Sequence, residues 1–259
     1  KQVSIMMDLS IGIVTYNNED KIEDLLRDIY RYTENVNFKV YVIDNKSKDS
    51  TVALVRQGFS QVEIIETHEN KGFGNGHNRI LNKIDSRYHL VLNPDIRFDS
   101  NVIRSLLDYM DSHENVAMVT PRVMNIDGTE QYLPKRLPSF RYMVCGRLQG
   151  ICKKFADIRA EYTMSDIKIT EPTEIQCCTG CFMLLRTEIF KKCNGFNEEF
   201  FMYLEDAELT LRASAYGKII FYPLVCVTHA WERTSAKNPK YLFIHMQSMF
   251  KFLRLQKKR

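Results

Sequence analysis

The sequence predicts one α/β domain with a mostly parallel central sheet flanked by helices. In the first 120 or so residues, apolar runs rich in β-branched residues alternate with segments of helical periodicity, the pattern of βαβ units. The apolar runs lack the alternation of a half-exposed sheet, so burial on both faces is expected. A length of 259 residues with 44% hydrophobic content suits one large core.

Strands and helices alternate through this first half. The predicted strands are residues 9–16, 38–43, 62–65 and 88–92. The predicted helices are residues 20–32, 49–57, 76–84 and 100–112. Several helices begin near Asp, Ser or Asn, which cap exposed backbone N–H groups. In open α/β sheets ligands bind at the carboxyl ends of the strands, so the loops after these strands are the candidate site.

The pattern changes after Pro121. Asp127-Gly128 is a strong turn dipeptide and predicts a hairpin over residues 123–133. Residues 134–172 have weak periodicity and many basic and aromatic side chains, and we expect a mobile excursion rather than a second domain. The remaining predicted elements are a strand at 174–185, a helix at 204–216, a strand at 218–228 and an amphipathic helix at 239–259.

Composition excludes several classes of protein. The net charge of +4 suits an anionic small substrate or an anionic membrane surface, but it is too small and dispersed for nucleic acid binding. Seven cysteines with one C-x-x-C pair favour reduced thiols over a disulfide framework or a zinc site. No apolar run approaches the roughly 20 residues of a membrane-spanning helix, and the start lacks a signal-peptide pattern. A cytoplasmic location is therefore expected.

Four loops rich in Asn, Asp and Gly follow the predicted strands and should converge along one rim. They comprise residues 15–18, 44–47, 69–75 and 93–95. Asp44 could accept hydrogen bonds from a nucleobase imide or a ribose hydroxyl, or it could be an ordinary turn aspartate. Gly72, Gly74 and Gly76 lack the spacing of a dinucleotide fingerprint. They would allow backbone to approach a nucleotide, or they would form a tight turn without a ligand.

A series of motifs resembles family 2 glycosyltransferases with the GT-A fold, in the family's order from about Leu9 to His229. The motifs are residues 11–17, residues 42–49, residues 70–78, Asn93-Pro94-Asp95, and residues 195–198 followed by Glu205-Asp206. The resemblance implies a single GT-A domain over residues 1–259. Its parts would be a nucleotide-binding half at about 9–120, an acceptor-binding half at about 121–233 and a C-terminal amphipathic helix at 239–259.

The resemblance also implies which residues bind the nucleotide sugar. These are Thr15, Tyr16, Asn17, Asp44, Asn45, Asn70, Gly72, Phe73, Gly74, Asn78 and Asn93.

Asp95 and His229 are the implied metal ligands, with Mn²⁺ or Mg²⁺ as the cofactor. Asn93 stands where many GT-A enzymes have the first acid of Asp-x-Asp, so Asp95 would need diphosphate oxygens, water and His229 to complete the site. Imidazole suits Mn²⁺ better than Mg²⁺. The alternatives are an ordinary Pro-Asp turn and a structural histidine.

Asp206 is the implied general base, with Glu205 second. An acceptor hydroxyl is a poor nucleophile until its proton is being removed, so the transfer needs a base. The alternative is that both acids merely favour the first turn of a helix through its dipole. Thr179-Gly180 resembles the strand beside the acceptor site, although core packing explains this glycine equally well.

The expected function is that of an inverting, metal-dependent hexosyltransferase in bacterial cell-surface polysaccharide synthesis. The motif forms resemble rhamnosyltransferases, so dTDP-L-rhamnose is the first donor, and a UDP-hexose or UDP-N-acetylhexosamine is the alternative. The acceptor would be a saccharide or a lipid-linked saccharide. The last helix has an apolar stripe with basic neighbours, for which packing on the domain is the default and peripheral contact with the inner face of the plasma membrane the alternative. The stripe comprises Leu242, Met246, Met249 and Leu253.

Two rival functions remain at this stage. A sugar-nucleotide pyrophosphorylase would carry a glycine-rich basic loop after its first strand, which residues 15–18 do not form. A non-catalytic sugar- or nucleotide-binding protein could have the same fold, although the presence of both Asp95 and Asp206 argues against it.

Overall fold

A computed structural model describes residues 6–230 and 239–257. One sheet runs through them in the order β3-β2-β1-β4-β8-β6-β9-β5, and β7 pairs with β9. The strands are β1 (Met7–Thr15), β2 (Phe38–Asp44), β3 (Glu63–Glu66), β4 (Ser86–Leu92), β5 (Ile96–Arg97), β6 (Val116–Met124), β7 (Thr173–Glu174), β8 (Phe182–Arg186) and β9 (Lys218–His229).

Helices cover both faces of this sheet. They are α1 (Ile22–Tyr32), α2 (Thr51–Gly58), α3 (Phe73–Asn78), α4 (Val102–Ser112), α5 (Phe140–Arg147), α6 (Lys153–Thr163), α7 (Thr187–Lys192), α8 (Glu205–Ala213) and α9 (Pro239–Gln256). In the described part of the chain, no helix combines the length and the apolar character needed to cross a bilayer.

The sheet is mostly parallel, as the sequence predicts. β1 pairs in parallel with β2 and β4, and β2 with β3. β8 runs antiparallel to both β4 and β6, so β4 and β6 point the same way, and β9 is parallel to β6. The short strands β5 and β7 run antiparallel to β9. The carboxyl ends of the main strands therefore lie along one edge.

β1 is buried on both faces because its side chains alternate between two cores. Ile11 and Ile13 belong to the core under α1 and α4. Val14 belongs to the core on the other face, with Ile80 and Phe190. Such two-sided burial requires a continuous apolar run, which is why this strand could be predicted from the sequence.

Several sequence-based boundaries are wrong. The predicted strand at 174–185 is two short strands, β7 and β8, with irregular backbone between them. The predicted helix at 76–84 begins earlier, at Phe73, because Gly72 makes the turn into it with a φ of 95°. β5, β6 and α7 were not predicted, although 116–119 is an apolar run. The turn at Asp127-Gly128 is present, where Asn125 N donates to Thr129 O at 2.7 Å.

The excursion at 134–172 contains two helices, which its weak periodicity did not predict. Ser139 caps α5, since its hydroxyl accepts from Tyr142 N at 3.3 Å. The Tyr142 and Tyr162 rings stack with centroids 4.9 Å apart, and Arg141 pairs with Glu161 at 3.0 Å. The two helices are therefore held mainly to one another, through polar and aromatic contacts that leave little apolar periodicity.

The last helix lies against the loop that precedes α8. Met249 and Phe252 pack with Phe200 and Leu204 in a small core. Ser248 Oγ donates to Met202 O at 2.8 Å. The prediction that the apolar stripe of this helix packs on the domain is thus partly wrong, because Met246 is 40% exposed.

Two histidines are buried without charge partners beneath β1. His77 and His89 are both fully buried, and both nitrogens of His77 and Nε2 of His89 have no hydrogen-bond partner. His89 Nδ1 lies 2.8 Å from Ser10 Oγ. Burial holds the pKa of His77 well below its ordinary value and lowers that of His89 to about 3.

We expect acid to weaken the fold through these histidines. His77 binds a proton near pH 6.5 only when unfolded, so its contribution to stability is complete above that pH and is lost as the pH falls. Each such histidine makes the unfolding free energy fall by about 1.4 kcal/mol per pH unit. His77→Leu should remove that increment from the slope, measured by urea unfolding from about pH 7 to about pH 5. Equal slopes for variant and wild type would contradict this account.

Candidate active site

The candidate site lies where the loops after β1, β2 and β4 meet the loop before α8. Thr15 and Asp44 end β1 and β2 as register partners. Asn45 N donates to Thr15 O at 2.8 Å, which ties the two loops together. Adjacent parallel strands therefore bring these residues together, as the sequence predicts.

The Asp44 carboxylate is buried and has several partners. It accepts from Thr15 Oγ1 at 3.1 Å and from the backbone N–H and hydroxyl of Ser47. The neighbouring Asn17 adopts φ 57° and is fixed by Ser47 and by Lys48 N. The contacts of Asp44 are those of a turn aspartate, and they hold its side chain in one orientation at the rim.

Asn45 and Asn70 shape the next loop. Asn45 Nδ2 donates to Gly72 O at 3.1 Å, and Gly72 N donates to Asn70 Oδ1 at 2.9 Å. Gly72 itself is required by packing, because a Cβ there would lie 2.0 Å from Phe201 O. A positive φ and a close backbone approach both exclude side chains at this position.

Two residues that were predicted to bind the nucleotide sugar contact the protein itself instead. Asn78 donates to Phe196 O at 2.8 Å and accepts from Phe196 N at 2.8 Å, and its amide also reaches Glu198. A Cβ on Gly74 would lie 2.7 Å from Phe196 Cβ. We therefore correct both assignments, because Asn78 joins α3 to residues 196–198 and Gly74 allows the Phe196 ring to pack.

The other predicted donor-site residues line the rim in different ways. Tyr16 is 47% exposed and could meet a ligand. The Phe73 ring is half-buried against His77 and Phe196, with centroids 4.6 and 5.6 Å away. Asn93 follows β4, and its backbone N–H donates to Cys181 O at 3.0 Å.

Asp95 and His229 come together across a strand pair. Ile96 in β5 is the register partner of His229 at the end of β9, and Ala230 N donates to Asp95 O at 3.1 Å. His229 Nε2 lies 3.2 Å from Asp95 Oδ1, with 6% and 18% of the two side chains exposed. Burial alone would raise the pKa of Asp95, but the contact with His229 and its charge outweigh burial and lower it.

Gln131 fixes the orientation of the His229 ring, and sequence reasoning missed it. Gln131 Nε2 donates to His229 O at 2.8 Å, so its Oε1 faces His229 Nδ1 at 3.0 Å as an acceptor. Nδ1 must then carry a proton, which leaves the Nε2 lone pair toward Asp95 in the neutral ring. The sequence gives no signal of this contact, because Gln131 lies seven residues beyond the end of β6.

The Asp95 and His229 pair fits a divalent cation. Asp95 Oδ1 is buried and receives no well-formed hydrogen bond. Adjacent ligands of an octahedral ion with bonds of about 2.1 Å lie roughly 3 Å apart, close to the 3.2 Å between these atoms. Within the described residues, no cluster of three or more His, Cys, Asp or Glu side chains could hold a metal. Mg²⁺ takes six ligands, so a cation held by this pair would have positions for a ligand's phosphate oxygens. The cysteines form no disulfide.

Asp206 and Glu205 begin α8 in different environments. Asp206 is half-buried, and its Oδ2 accepts from Gly180 N at 2.9 Å. Glu205 is 6% exposed and its Oε2 has no partner, so burial and then the Asp206 charge raise its pKa to about 8. Of the two side chains, only that of Asp206 is partly exposed, so Asp206 is better placed to accept a proton from a bound hydroxyl. Tyr203 and Leu204 precede them with φ of 69° and 66°.

Known proteins are similar in sequence to this chain. The profile described as Glycosyl transferase family 2 matches residues 10–193. An N-acetylglucosaminyl-diphospho-decaprenol L-rhamnosyltransferase of Mycobacterium tuberculosis is 25% identical over 95% of this chain and 83% of its own length. Rhamnosyltransferase WbbL of Escherichia coli K12 is 28% identical over 94% of this chain and 91% of its own length.

Solved structures share the fold. Staphylococcus aureus TarS 1–349 in complex with UDP superposes with a TM-score of 0.62 at 16% identity, over 95% of this chain. The present chain spans 65% of that structure's length. The Pyrobaculum calidifontis mannosyltransferase PcManGT with GDP-Man and Mn²⁺ gives a TM-score of 0.64 at 15% identity, over 99% of this chain and 66% of its own. The sequence-based prediction of a GT-A fold is confirmed.

Removing the Gln131 amide should weaken metal binding without unfolding the protein. Gln131→Leu frees the His229 ring to adopt the opposite tautomer, and loss of such a supporting group costs about 10–100-fold in metal affinity. Mn²⁺ titration followed by electron paramagnetic resonance measures the affinity. ¹⁵N spectra of histidine-labelled protein, assigned with His229→Asn, report which ring nitrogen carries the proton.

The exposed Gln57→Leu is the matched control and should leave both measurements unchanged. If Gln131→Leu keeps both the wild-type Mn²⁺ affinity and a protonated Nδ1, Gln131 does not set the ring tautomer.

Proposed function

The chain belongs to glycosyl transferase family 2, and from that premise we propose that it is an inverting, metal-dependent hexosyltransferase of cell-surface polysaccharide synthesis. The observation that carries the proposal is the pairing of Asp95 with His229 on the rim that also presents Asp206. Two donor atoms for a cation and a half-buried carboxylate are the groups that sugar transfer from a nucleotide requires.

The donor nucleotide lies along the loops after β1 and β2 in this proposal. Thr15, Asp44 and Asn45 are held in place by their mutual hydrogen bonds, so they meet the nucleoside in a fixed geometry. Tyr16 and Asn17 extend from the same loop. Asn70, Gly72, Phe73 and Asn93 remain in the proposed donor site, whereas Gly74 and Asn78 do not.

Asp95 and His229 Nε2 would hold Mn²⁺ or Mg²⁺ together with oxygens of the donor diphosphate. A bound divalent cation supplies charge stabilisation to the departing nucleoside diphosphate. Gln131 keeps a proton on His229 Nδ1, so Nε2 and the Asp95 carboxylate face one another at the place that a cation would take. Both residues are thus prepared to donate lone pairs.

Asp206 is the proposed base. Its Oδ1 or Oδ2 accepts the proton of the acceptor hydroxyl while that oxygen forms the bond to the anomeric carbon. The bond from that carbon to the diphosphate breaks and its electron pair leaves with the nucleoside diphosphate. A single displacement inverts the anomeric centre. Gly180 N orients the carboxylate, and the half-buried side chain remains accessible to the acceptor.

The donor we propose first is dTDP-L-rhamnose. Support comes from the relatives of M. tuberculosis and E. coli, whose names specify rhamnosyl transfer. A UDP-hexose or UDP-N-acetylhexosamine is the alternative, because a TarS structure contains UDP-GlcNAc. We propose a lipid-linked saccharide as the acceptor, as the name of the mycobacterial relative indicates for that protein.

A peripheral contact with the inner face of the plasma membrane belongs to the same proposal. Three apolar side chains project from one face of α9. They are Phe243, Met246 and Phe250, which are 62%, 40% and 58% exposed. Their spacing matches a helix face, and Lys251 and Arg254 lie nearby. A lipid-linked acceptor would be met at such a surface.

Two substitutions should separate donor binding from transfer. Asp95→Ala removes a metal ligand, so metal-dependent stabilisation by nucleoside diphosphates should be lost in thermal-shift assays. Asp206→Asn keeps the shape of the side chain but not the base, so binding should remain while transfer falls about 10²–10⁴-fold. A panel of nucleotide sugars with Mn²⁺ or Mg²⁺ provides both measurements.

The exposed Asp108→Asn is the control for Asp206→Asn. Transfer at the wild-type rate by Asp206→Asn would eliminate Asp206 as the base. If no nucleoside diphosphate stabilises the wild-type protein with either metal, the proposed function is wrong.

A further inference from the structure

Positive charge gathers on the α5 side of the candidate base, outside the loops that follow β1, β2 and β3. Three basic side chains from separate segments approach the same half-buried histidine on α9, His245. They are Lys135, Arg147 and Arg159, and we call them with His245 the basic cluster.

Contacts tie this cluster to Asp206 from two directions. Lys135 Nζ donates to Thr179 Oγ1 at 3.3 Å, and the next residue, Gly180, donates its N–H to Asp206. From the other direction, Arg147 lies 3.2 Å from His245 Nδ1, and the His245 ring meets the Tyr203 ring edge-on at 5.1 Å. Tyr203 belongs to the loop that leads into α8.

Arg159 is placed by close packing between α5 and α6. A Cβ on Gly146 would lie 3.4 Å from Arg159 Cδ, so the missing side chain gives the arginine room beside Arg147. The guanidinium also lies over the Tyr162 ring, 5.5 Å from its centroid. Arg147 and Arg159, from neighbouring helices, both act on the His245 ring.

Three cations and one carboxylate, that of Asp206, act on the His245 ring. Among residues 6–230 and 239–257, neither Lys135 nor Arg147 has a carboxylate within ion-pair distance, and Lys135 is half-buried with only a hydroxyl as its side-chain partner. Burial, followed by the charges of Arg147, Lys135 and Arg159, lowers the pKa of His245 to about 4. Lys135 is half-buried without a carboxylate partner and Arg147 is exposed, so an anionic ligand would supply the charge-assisted contacts that both side chains lack.

We propose that the basic cluster binds the phosphate groups of the acceptor, a sugar linked to lipid through a diphosphate. This inference rests on the proposed function, since Asp206 is taken as the base beside which the acceptor hydroxyl must lie. Arg147 presents a planar fork suited to phosphate oxygens, and Lys135 supplies a point charge nearer to Asp206. His245, neutral at physiological pH, accepts from Arg147 and orients it.

The binding test uses decyl diphosphate with EDTA present and donor absent, measured by isothermal titration calorimetry. The double variant Lys135→Gln/Arg147→Gln should bind at least about 10-fold more weakly than wild type, because it loses two charge-assisted contacts with the diphosphate. The charge-retaining Lys135→Arg/Arg147→Lys should bind more tightly than the glutamine double variant, which controls for misfolding. Arg141→Gln is the matched control, since Arg141 lies on the same helix but is paired with Glu161.

The kinetic test compares a sugar-diphospho-decyl acceptor with the corresponding neutral decyl glycoside. The glutamine double variant should raise the KM for the diphosphate acceptor at least about 10-fold, leaving kcat and the donor KM nearly unchanged. The KM for the neutral glycoside should not change. A raised donor KM would instead assign the cluster to the donor diphosphate and overturn the proposal.

A third arm separates acceptor phosphate from membrane headgroups. If the double variant loses affinity for phosphatidylglycerol vesicles yet binds decyl diphosphate like wild type, the cluster recognises membrane lipid and the proposal is wrong. If wild type cleaves no nucleotide sugar, the proposed function fails, whereas the EDTA titration still decides whether the cluster binds a diphosphate.

Discussion

The pairing of β5 with the end of β9 is the contact on which the candidate site depends. It places Asp95, which follows β4, beside His229, although 134 positions separate them in the chain. Arg97 strengthens the short strand, because its guanidinium donates to Asp28 of α1 at 2.6 Å. Gln131 then adds hydrogen bonds to the ring and backbone of His229. The two proposed ligands are thus positioned by strand register and do not rely on a mobile loop.

A second constraint positions the loop before α8. The backbone of Phe201 comes so close to Gly72 that only glycine fits there, and Phe73 N donates to Phe201 O at 3.2 Å. On its other side the loop is held by α9 through Ser248. The proposed base therefore rests between the donor loops and the last helix. In this account α9 also carries the exposed apolar side chains that are proposed to contact the membrane. The same helix therefore holds the loop with the proposed base and lies where a lipid-linked acceptor would approach.

The sequence predicts the parts of the fold that depend on local pattern. β1 and β4 could be predicted because burial on both faces requires continuous apolar runs. Asp95 and Asp206 were predicted from the resemblance of their motifs to the family. What it could not predict depends on distant contacts. In the sequence Gly74 resembles a ligand-binding glycine, but in the structure Phe196 lies where a side chain at this position would be. Gln131 acts across 98 positions, and α5 is stabilised by partners on α6 that no local periodicity reveals.

The central claim is that Asp95 and His229 together hold the cation that binds the donor diphosphate. Anomalous X-ray diffraction from crystals grown with Mn²⁺ and dTDP tests it directly. The account predicts one manganese peak within bonding distance of an Asp95 carboxylate oxygen, His229 Nε2 and diphosphate oxygens. A manganese peak bound to dTDP but remote from both side chains, or one ligated through His229 Nδ1, would contradict it.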